Sequence, residues 1–494
     1  MRLALLLLVL AAPLQASPVL FEDRSAAVAG HVYTGGWEHF VGGGVAVFDC
    51  NDDTLPDVFA AGGETPATVF INHGAFQFAA TALEDLTRVV GAYPLDIDGD
   101  GQLDLFVLRA GPNLVLRGLG DCRFDDVTEQ WVIPQTDRWS TAFTAWWDTG
   151  HDRPTFAVGN YVDRTDPDGP FEACDVNELL VPVQGGYRLQ ELSPGFCALS
   201  ILTARDARGR VTLRLSNDRH YYVRDGYEQM WDVRDKRFLT EADGWPTVSL
   251  WGMGIASRDL TGDGRDEVML TSMGDQLLQI AGADGAYVAA PFSQGTYAQR
   301  PHVGDDGRPS TGWHAEFADV DNDGLVDLFL AKGNVDQMPG MAMEDPNNLL
   351  MQAADGTFVE AAATAGVAST ARSRGAALAD FDGDGRLDLI VSNRRAPLEL
   401  YRNVTRQAGN WVAVQLRQEG GNRDAVGAIV TVEAGPVRQS VQHVVGGGHA
   451  GGQMLPRHFG LGQATQAQVL VIWPDGSRST HVLAAGRSHL VTKP

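Results

Sequence analysis

Aspartate recurs in this 494-residue chain at a spacing that suits a bound cation. Three stretches share the form Asp-x-Asp-x-Asp-Gly-x-x-Asp: Asp96, Asp98, Asp100 and Asp104; Asp319, Asp321, Asp323 and Asp327; Asp380, Asp382, Asp384 and Asp388. Two altered copies run Asp49, Asn51, Asp53, Asp57, with Thr54 in the glycine position, and Asp259, Thr261, Asp263, Glu267. Calcium takes about six to eight oxygens, and carboxylates at positions 1, 3, 5 and 9 with a backbone carbonyl supply most of them. Glycine at position 6 permits the left-handed turn that aims these groups inward. Good turn chemistry alone does not demand Asp at every second position and again four residues on. Magnesium usually keeps more waters, so calcium is the expected ion, in up to about five sites. These are not EF-hands: the twelfth positions hold Ala60, Val107, Leu270, Leu330 and Val391, where an EF-hand needs a bidentate Glu.

The loops need elements that hold them. Each lies between two short apolar stretches of strand character, and two worn copies keep the frame, one at Asp148-Thr-Gly150-His-Asp152 and one at Ala204-Arg-Asp206-Ala-Arg208-Gly209. The seven starts, at 49, 96, 148, 204, 259, 319 and 380, stand 47 to 61 residues apart. Units of about four strands at this period predict an all-β, seven-bladed β-propeller rather than a helical solenoid. Outer strands are legible at Phe124-Asp-Asp126 and Phe358-Val-Glu360, but the seventh unit stops at Leu398-Glu-Leu-Tyr-Arg-Asn403 without one. Phe21-Glu22-Asp23 matches the missing phrase. Residues near 18–28 are therefore expected to pair into the last blade and close the ring, hiding its edges.

Beyond 403 the pattern changes. Trp411-Val-Ala-Val-Gln-Leu-Arg417 alternates as a half-buried strand, Gly427 to Glu433 gives another, and Pro474-Asp475-Gly476 is a turn, so residues 404–494 read as a small all-β domain. Gly446-Gly-Gly448-His-Ala-Gly451 fits Gly-x-Gly-x-x-Gly, but no βαβ unit surrounds it, so it reads as a flexible loop and not a dinucleotide site.

The repeated loop resembles FG-GAP (VCBS) repeats, the calcium-loop propellers also found in integrin α-subunits, over about residues 18–403. Asn422-Arg423-Asp424-Ala-Val-Gly427, Arg457-His458-Phe459-Gly460-Leu461-Gly462 and Val471-Ile472-Trp473-Pro474-Asp475-Gly476 resemble the ASPIC/UnbV domain. The combination is similar to the cartilage acidic protein family. That resemblance implies an exported calcium-binding protein with roles in matrix or surface interaction and no established reaction.

The organisation expected is a signal peptide at 1–16, the propeller at 17–403 and the C-terminal β-domain at 404–494. Arg2, the apolar run Leu3 to Ala12 and Leu14-Gln15-Ala16 have the order of an export signal, and the run is too short to span a bilayer. A secreted or periplasmic product with no integral membrane segment follows. Four cysteines in an exported chain favour disulfides. Cys174 and Cys197 bracket a Pro/Gly/Asp-rich excursion and are expected to pair; spacing leaves Cys50 with Cys122 open. No Cys-x-x-Cys is present. With 38 Lys+Arg against 63 Asp+Glu, the net charge of −25 opposes nucleic-acid binding.

Catalytic signatures are sparse. There is no His-Glu-x-x-His, Walker loop or Gly-x-Ser-x-Gly, and His314-Ala-Glu316 lacks the Pro-Cys-x-x-Cys of a deaminase. His220, Trp251, His314, Glu316, Lys332, Asn334, Arg374, Arg394 and Arg395 flank inner strands and read first as structural lining of the channel, with a ligand funnel the alternative. The expected function is a calcium-stabilised, non-catalytic adhesion or ligand-binding protein whose partner is an extracellular protein or glycan. A calcium-dependent carbohydrate-active lyase or hydrolase is the alternative, with His314, Glu316 and Lys332 as its acid/base groups.

Overall fold

The computed structural model describes residues 18–166, 173–218, 226–297 and 308–494. The export signal expected at 1–16 and His220 lie outside them.

Seven four-stranded antiparallel blades follow one another along the chain. Their inner strands are Val45–Phe48, Val89–Leu95, Ser140–Trp146, Ala198–Arg205, Gly252–Arg258, Ser310–Ala318 and Ser373–Ala379. These are crowded on both sides, which is why small and apolar residues fill them and several are buried throughout. Outer strands meet water; Phe78–Leu83 is mostly exposed. In every blade the chain turns from the inner to the second strand through the 49, 96, 148, 204, 259, 319 or 380 segment, so all seven turns face one end of the ring.

The last blade is completed from the far end of the chain. Phe21–Asp23 pairs antiparallel with Glu399–Asn403, in the register Phe21↔Asn403, Glu22↔Arg402 and Asp23↔Tyr401. Val19 and Phe21 are buried with Val367, Leu389 and Tyr401, so the closing strand brings its own share of core. This is the closure expected from the missing outer strand.

Two disulfides are present. Cys174–Cys197 ties the third blade to the first residues before the fourth, and Cys50–Cys122 ties the first metal-type loop to the outer turn of the second blade.

The tail folds as two sheets round one apolar core. One has the order Arg457–Gly462, Asn410–Arg417, Arg487–Thr492; the other has Val437–Gln442, Ile429–Ala434, Gln466–Ile472, Arg478–Ala484. Val414, Val430, Phe459, Val469 and Trp473 are among the core residues between them. Among the described residues no helix is long and apolar enough to cross a membrane.

The glycine-rich segment corrects its sequence-based reading as a flexible loop. It enters the ring: Val445 bridges to Ala145, Gly446 to Leu202, Gly448 to Ile255 and Gly451 to Ala92, and Gln453–Met454 adds a parallel strand to Val45–Phe48. His449 is wholly buried, its backbone N–H donates to His314 Nδ1 at 3.1 Å, and its ring meets Trp313 edge-on. Glycine is needed on both sides of this approach, since a Cβ at Gly44 or Gly91 would land on the carbonyl oxygen of Ala450. The segment is thin because it must thread a channel walled by seven inner strands.

Candidate metal centres and the ring–tail junction

Each Asp-rich loop is built by its own carboxylates. The first Asp accepts the backbone N–H of position 6, at 3.0 Å for Asp96 with Gly101 and 2.8 Å for Asp319 with Gly324 and Asp380 with Gly385. The ninth carboxylate works twice. Asp104 accepts Ile97 N–H and Gly118 N–H, Asp327 accepts Val320 and Gln352, and Asp388 accepts Phe381 and Asn403. It therefore staples the loop to the third strand of its blade while one oxygen array still faces the loop centre.

Three acidic oxygens fall within 4.8 Å of one another in three places: Asp96, Asp98 and Asp104; Asp319, Asp321 and Asp327; Asp380, Asp382 and Asp388. These are the three complete copies of the motif. Burial, aided by neighbouring carboxylates, drives their pKa values up: Asp104 to about 8, Asp96, Asp321 and Asp380 to about 6, and Asp319, Asp327 and Asp388 upward as well. Arg117 pairs with Asp98 and Asp100, and Arg402 with Asp382 and Asp384, in two of these loops, and the all-oxygen donor set is that of a hard divalent ion.

In the altered loops the same scaffold persists. Asp57 accepts Cys50 N–H and Asn72 N–H, and Glu267 accepts Leu260 N–H; burial raises both to about 7. Asn51 and Asp53 remain at the loop rim, bonded to each other at 3.0 Å, and Asp49 and Asp259 keep the position-6 contact with Thr54 and Gly264. Asp263 pairs with Arg265, and Thr261 holds position 3 with a hydroxyl in place of a carboxylate. In the two worn copies protein donors occupy the carboxylates. Asp206 takes Arg210 Nε at 2.7 Å, and Asp148 takes the Thr155 hydroxyl at 2.7 Å and Trp146 Nε1 at 3.1 Å.

The tail docks on this end of the ring. His458 Nε2 lies 2.7 Å from Asn322 Oδ1, Gly409 N–H donates to Asp321 O at 2.8 Å, and Gly462 N–H donates to Asn322 O at 2.8 Å. Arg438 reaches Gly262 O and lies 3.7 Å from Asp259. The Arg423 guanidinium and the Trp411 indole close over Gly101 and Gly385. Four metal-type loops thus touch the tail directly.

The candidate funnel residues divide. His314 and Glu316 line a cavity of about 600 Å³ between ring and tail, their side chains 3.4 Å apart. Lys332 is elsewhere, buried in a 3.2 Å ion pair with Asp345, so the acid/base trio is not assembled. Asn334, Arg374, Arg394 and Arg395 gather at the other end of the ring. There Arg374 stacks on Trp313 and donates to Phe40 O, Asn334 O and Val335 O, and Arg394 donates to His39 O, Gly35 O and Gly36 O. Arg395 pairs with Asp336. These arginines spend their donors on backbone carbonyls and hold two loops in place. Trp251 is half-buried beside Asp218, to which it bridges.

Residues 49–107 and 319–391 match the FG-GAP-like repeat, and residues 418–494 match the ASPIC and UnbV domain. The chain is 35% identical over 124 residues to cartilage acidic protein 1 of Xenopus tropicalis and of Homo sapiens. The match covers 24% of this chain and 19% of each relative, so only a fifth of their length is spanned. Among solved structures, BBS1N in complex with ARL6DN aligns at TM-score 0.46 and 10% identity, over 78% of this chain and 98% of that one. PorZ of Porphyromonas gingivalis aligns at 0.43 and 10%, over 94% and 60%. Repeat, ring and tail agree: the chain is an FG-GAP-repeat propeller with a C-terminal ASPIC/UnbV domain, a relative of the cartilage acidic proteins.

Proposed function

We propose that this is an exported, calcium-binding protein of adhesion or ligand-binding type, without catalysis of its own. The observation that carries the metal reading is the convergence of Asp96/Asp98/Asp104, Asp319/Asp321/Asp327 and Asp380/Asp382/Asp388, each within 4.8 Å. Asp100, Asp323 and Asp384 at position 5 complete the carboxylate set in each loop. The loops at 49 and 259 are weaker sites, with Asn51 and Thr261 as neutral oxygen donors. Two disulfides and the apolar N-terminal run support an oxidising destination outside the cytoplasm. The partner is an extracellular protein or glycan. The separation of Lys332 from His314 and Glu316 leaves the carbohydrate-active alternative without its acid/base trio.

The test is thermal unfolding in chelator and in calcium. A ligand that binds only the folded chain stabilises by RT ln(1 + [L]/Kd), so the melting temperature should climb with calcium concentration. Superimposable melts with and without calcium would sink the metal reading.

A further inference from the structure

The cavity between ring and tail holds two arginines that have no carboxylate partner. Arg258, 6% exposed at the end of its inner strand, donates Nη2 to Gln439 Oε1 at 3.1 Å and lies 5.4 Å over the Phe459 ring. Its Nε is buried and has no hydrogen-bond partner. Asp259, Asp266 and Asp319 act on it only from beyond ion-pair distance. Arg457 stands two residues before Phe459 on the same strand face, and gives Nε to His443 Nδ1 at 2.8 Å and Nη2 to Val444 O at 3.0 Å. Neither guanidinium forms an ion pair among the described residues. A buried cation left uncompensated destabilises the fold, and a counter-ion offsets that cost.

Of the acidic groups on the cavity wall, Asp49 and Asp380 belong to Asp-rich loops, Asp52 is exposed, and Glu316 and Asp424 are already committed. Glu316 accepts Gln453 Nε2 at 2.7 Å and Leu378 N–H at 3.2 Å, and Asp424 pairs with Arg417 at 2.7 Å. The rest of the wall includes Leu202, Ile255, Phe317 and Leu378. Asp52, Arg487 and Ser488, all exposed, belong to the same wall, so the cavity reaches solvent. Its volume of about 600 Å³ lies within the range of small-molecule sites.

We propose that the ring–tail cavity binds a small organic carboxylate with an apolar body, its carboxylate held by Arg258 and Arg457 and its body by Leu202, Ile255 and Phe317. A planar guanidinium with a free Nε–H is the donor that suits a carboxylate. The site names a ligand class for the ligand-binding reading above and rests on that reading.

The test uses the full chain in calcium, titrated by calorimetry with hexanoate, hexanol and inorganic phosphate. Hexanoate should bind saturably at one site per chain, with hexanol and phosphate at least tenfold weaker. R258M and R457M should each weaken hexanoate at least tenfold, with R258K falling between, in variants that keep the wild-type calcium melt. Absence of saturable hexanoate binding to the wild-type chain overturns the proposal, as does equal binding of hexanol or phosphate, or of hexanoate to both Met variants. A calcium-dependent melt that persists while hexanoate fails to bind separates loss of this site from loss of the metal reading.

Discussion

At the ninth loop position one carboxylate does two jobs, and substitutions separate them. Asp327 accepts Val320 N–H at 3.0 Å and Gln352 N–H at 2.9 Å, whereas Asp321 at position 3 accepts a long 3.3 Å contact from Asp323 N–H within its own loop. D327N turns an amide group toward a backbone donor and should cost roughly 1 to 3 kcal/mol in chelator as well as removing calcium stabilisation. D321N should leave the chelator melt unchanged or higher, because a like charge is gone, and blunt only the calcium response. Equal behaviour of the two variants in chelator would show that position 9 is not a staple. This division was half legible in the sequence. The ligand role shows in the local Asp spacing, but the staple does not, because its backbone N–H donors at Gln352 and Asn403 lie on another strand and carry no motif. The arginines show the same limit: Arg374 and Arg394 read as candidate ligand groups, yet their partners are main-chain carbonyls, which leave no mark in a sequence. Charge type is visible from residue names; what satisfies it is not.

Single elements decide whether the ring closes and whether its channel stays dry. The Phe21–Asp23 strand was readable from a pattern with one member missing, since a blade lacking its outer strand needs one from elsewhere. Deleting residues 18–28 uncovers the Glu399–Asn403 edge and the Phe21 contacts, and should lower the melting temperature and produce concentration-dependent association on size exclusion. A monomeric truncation with a wild-type melt would count against the closure. The glycine-rich plug was misread because its contacts are remote: His449 meets a residue 135 positions away, and glycine runs look alike whether free or threaded. Burial in the channel pushes the His449 pKa from its ordinary 6.5 to about 3, with the Arg374 charge and His314 adding to it, and pushes His443 down as well. Between those two pH values the unfolded chain binds the His449 proton and the folded chain does not, so stability falls as pH drops through that window. Each unit amounts to about 1.4 kcal/mol per histidine. H449F keeps a ring against Trp313 without titrating, so its urea midpoint should fall less than wild type between about pH 6.5 and about pH 4.5. Parallel loss in both proteins would place the acid sensitivity elsewhere.

For the whole molecule, the arrangement makes the Asp-rich loops and the tail part of one system. Part of the formal charge of −25 is clustered in loops that face the tail at one end of the ring. Gly409 and Gly462 bond to the main chain of the 319 loop, His458 to its Asn322, Arg438 to the 259 loop, and Arg423 and Trp411 cover the turns of the 96 and 380 loops. Without a cation, carboxylates such as Asp319, Asp321 and Asp327 repel one another, and a loop that opens to relieve this moves the surface on which the tail rests. The plug runs from the tail into the channel, so loosening the tail also frees the segment 443–455. Calcium removal should therefore raise amide exchange first in the 96, 319 and 380 loops, and with them in Asn410–Arg417, Arg457–Gly462 and the plug, before the outer strands of the third and fourth blades respond. Those blades are the internal control, because Asp148 and Asp206 are held by Thr155 and Arg210 and owe nothing to a metal. Hydrogen exchange by mass spectrometry resolves these peptides. Uniform deprotection across all seven blades would mean that calcium acts on global stability alone, and an unchanged tail would mean that the loops and the tail are not coupled.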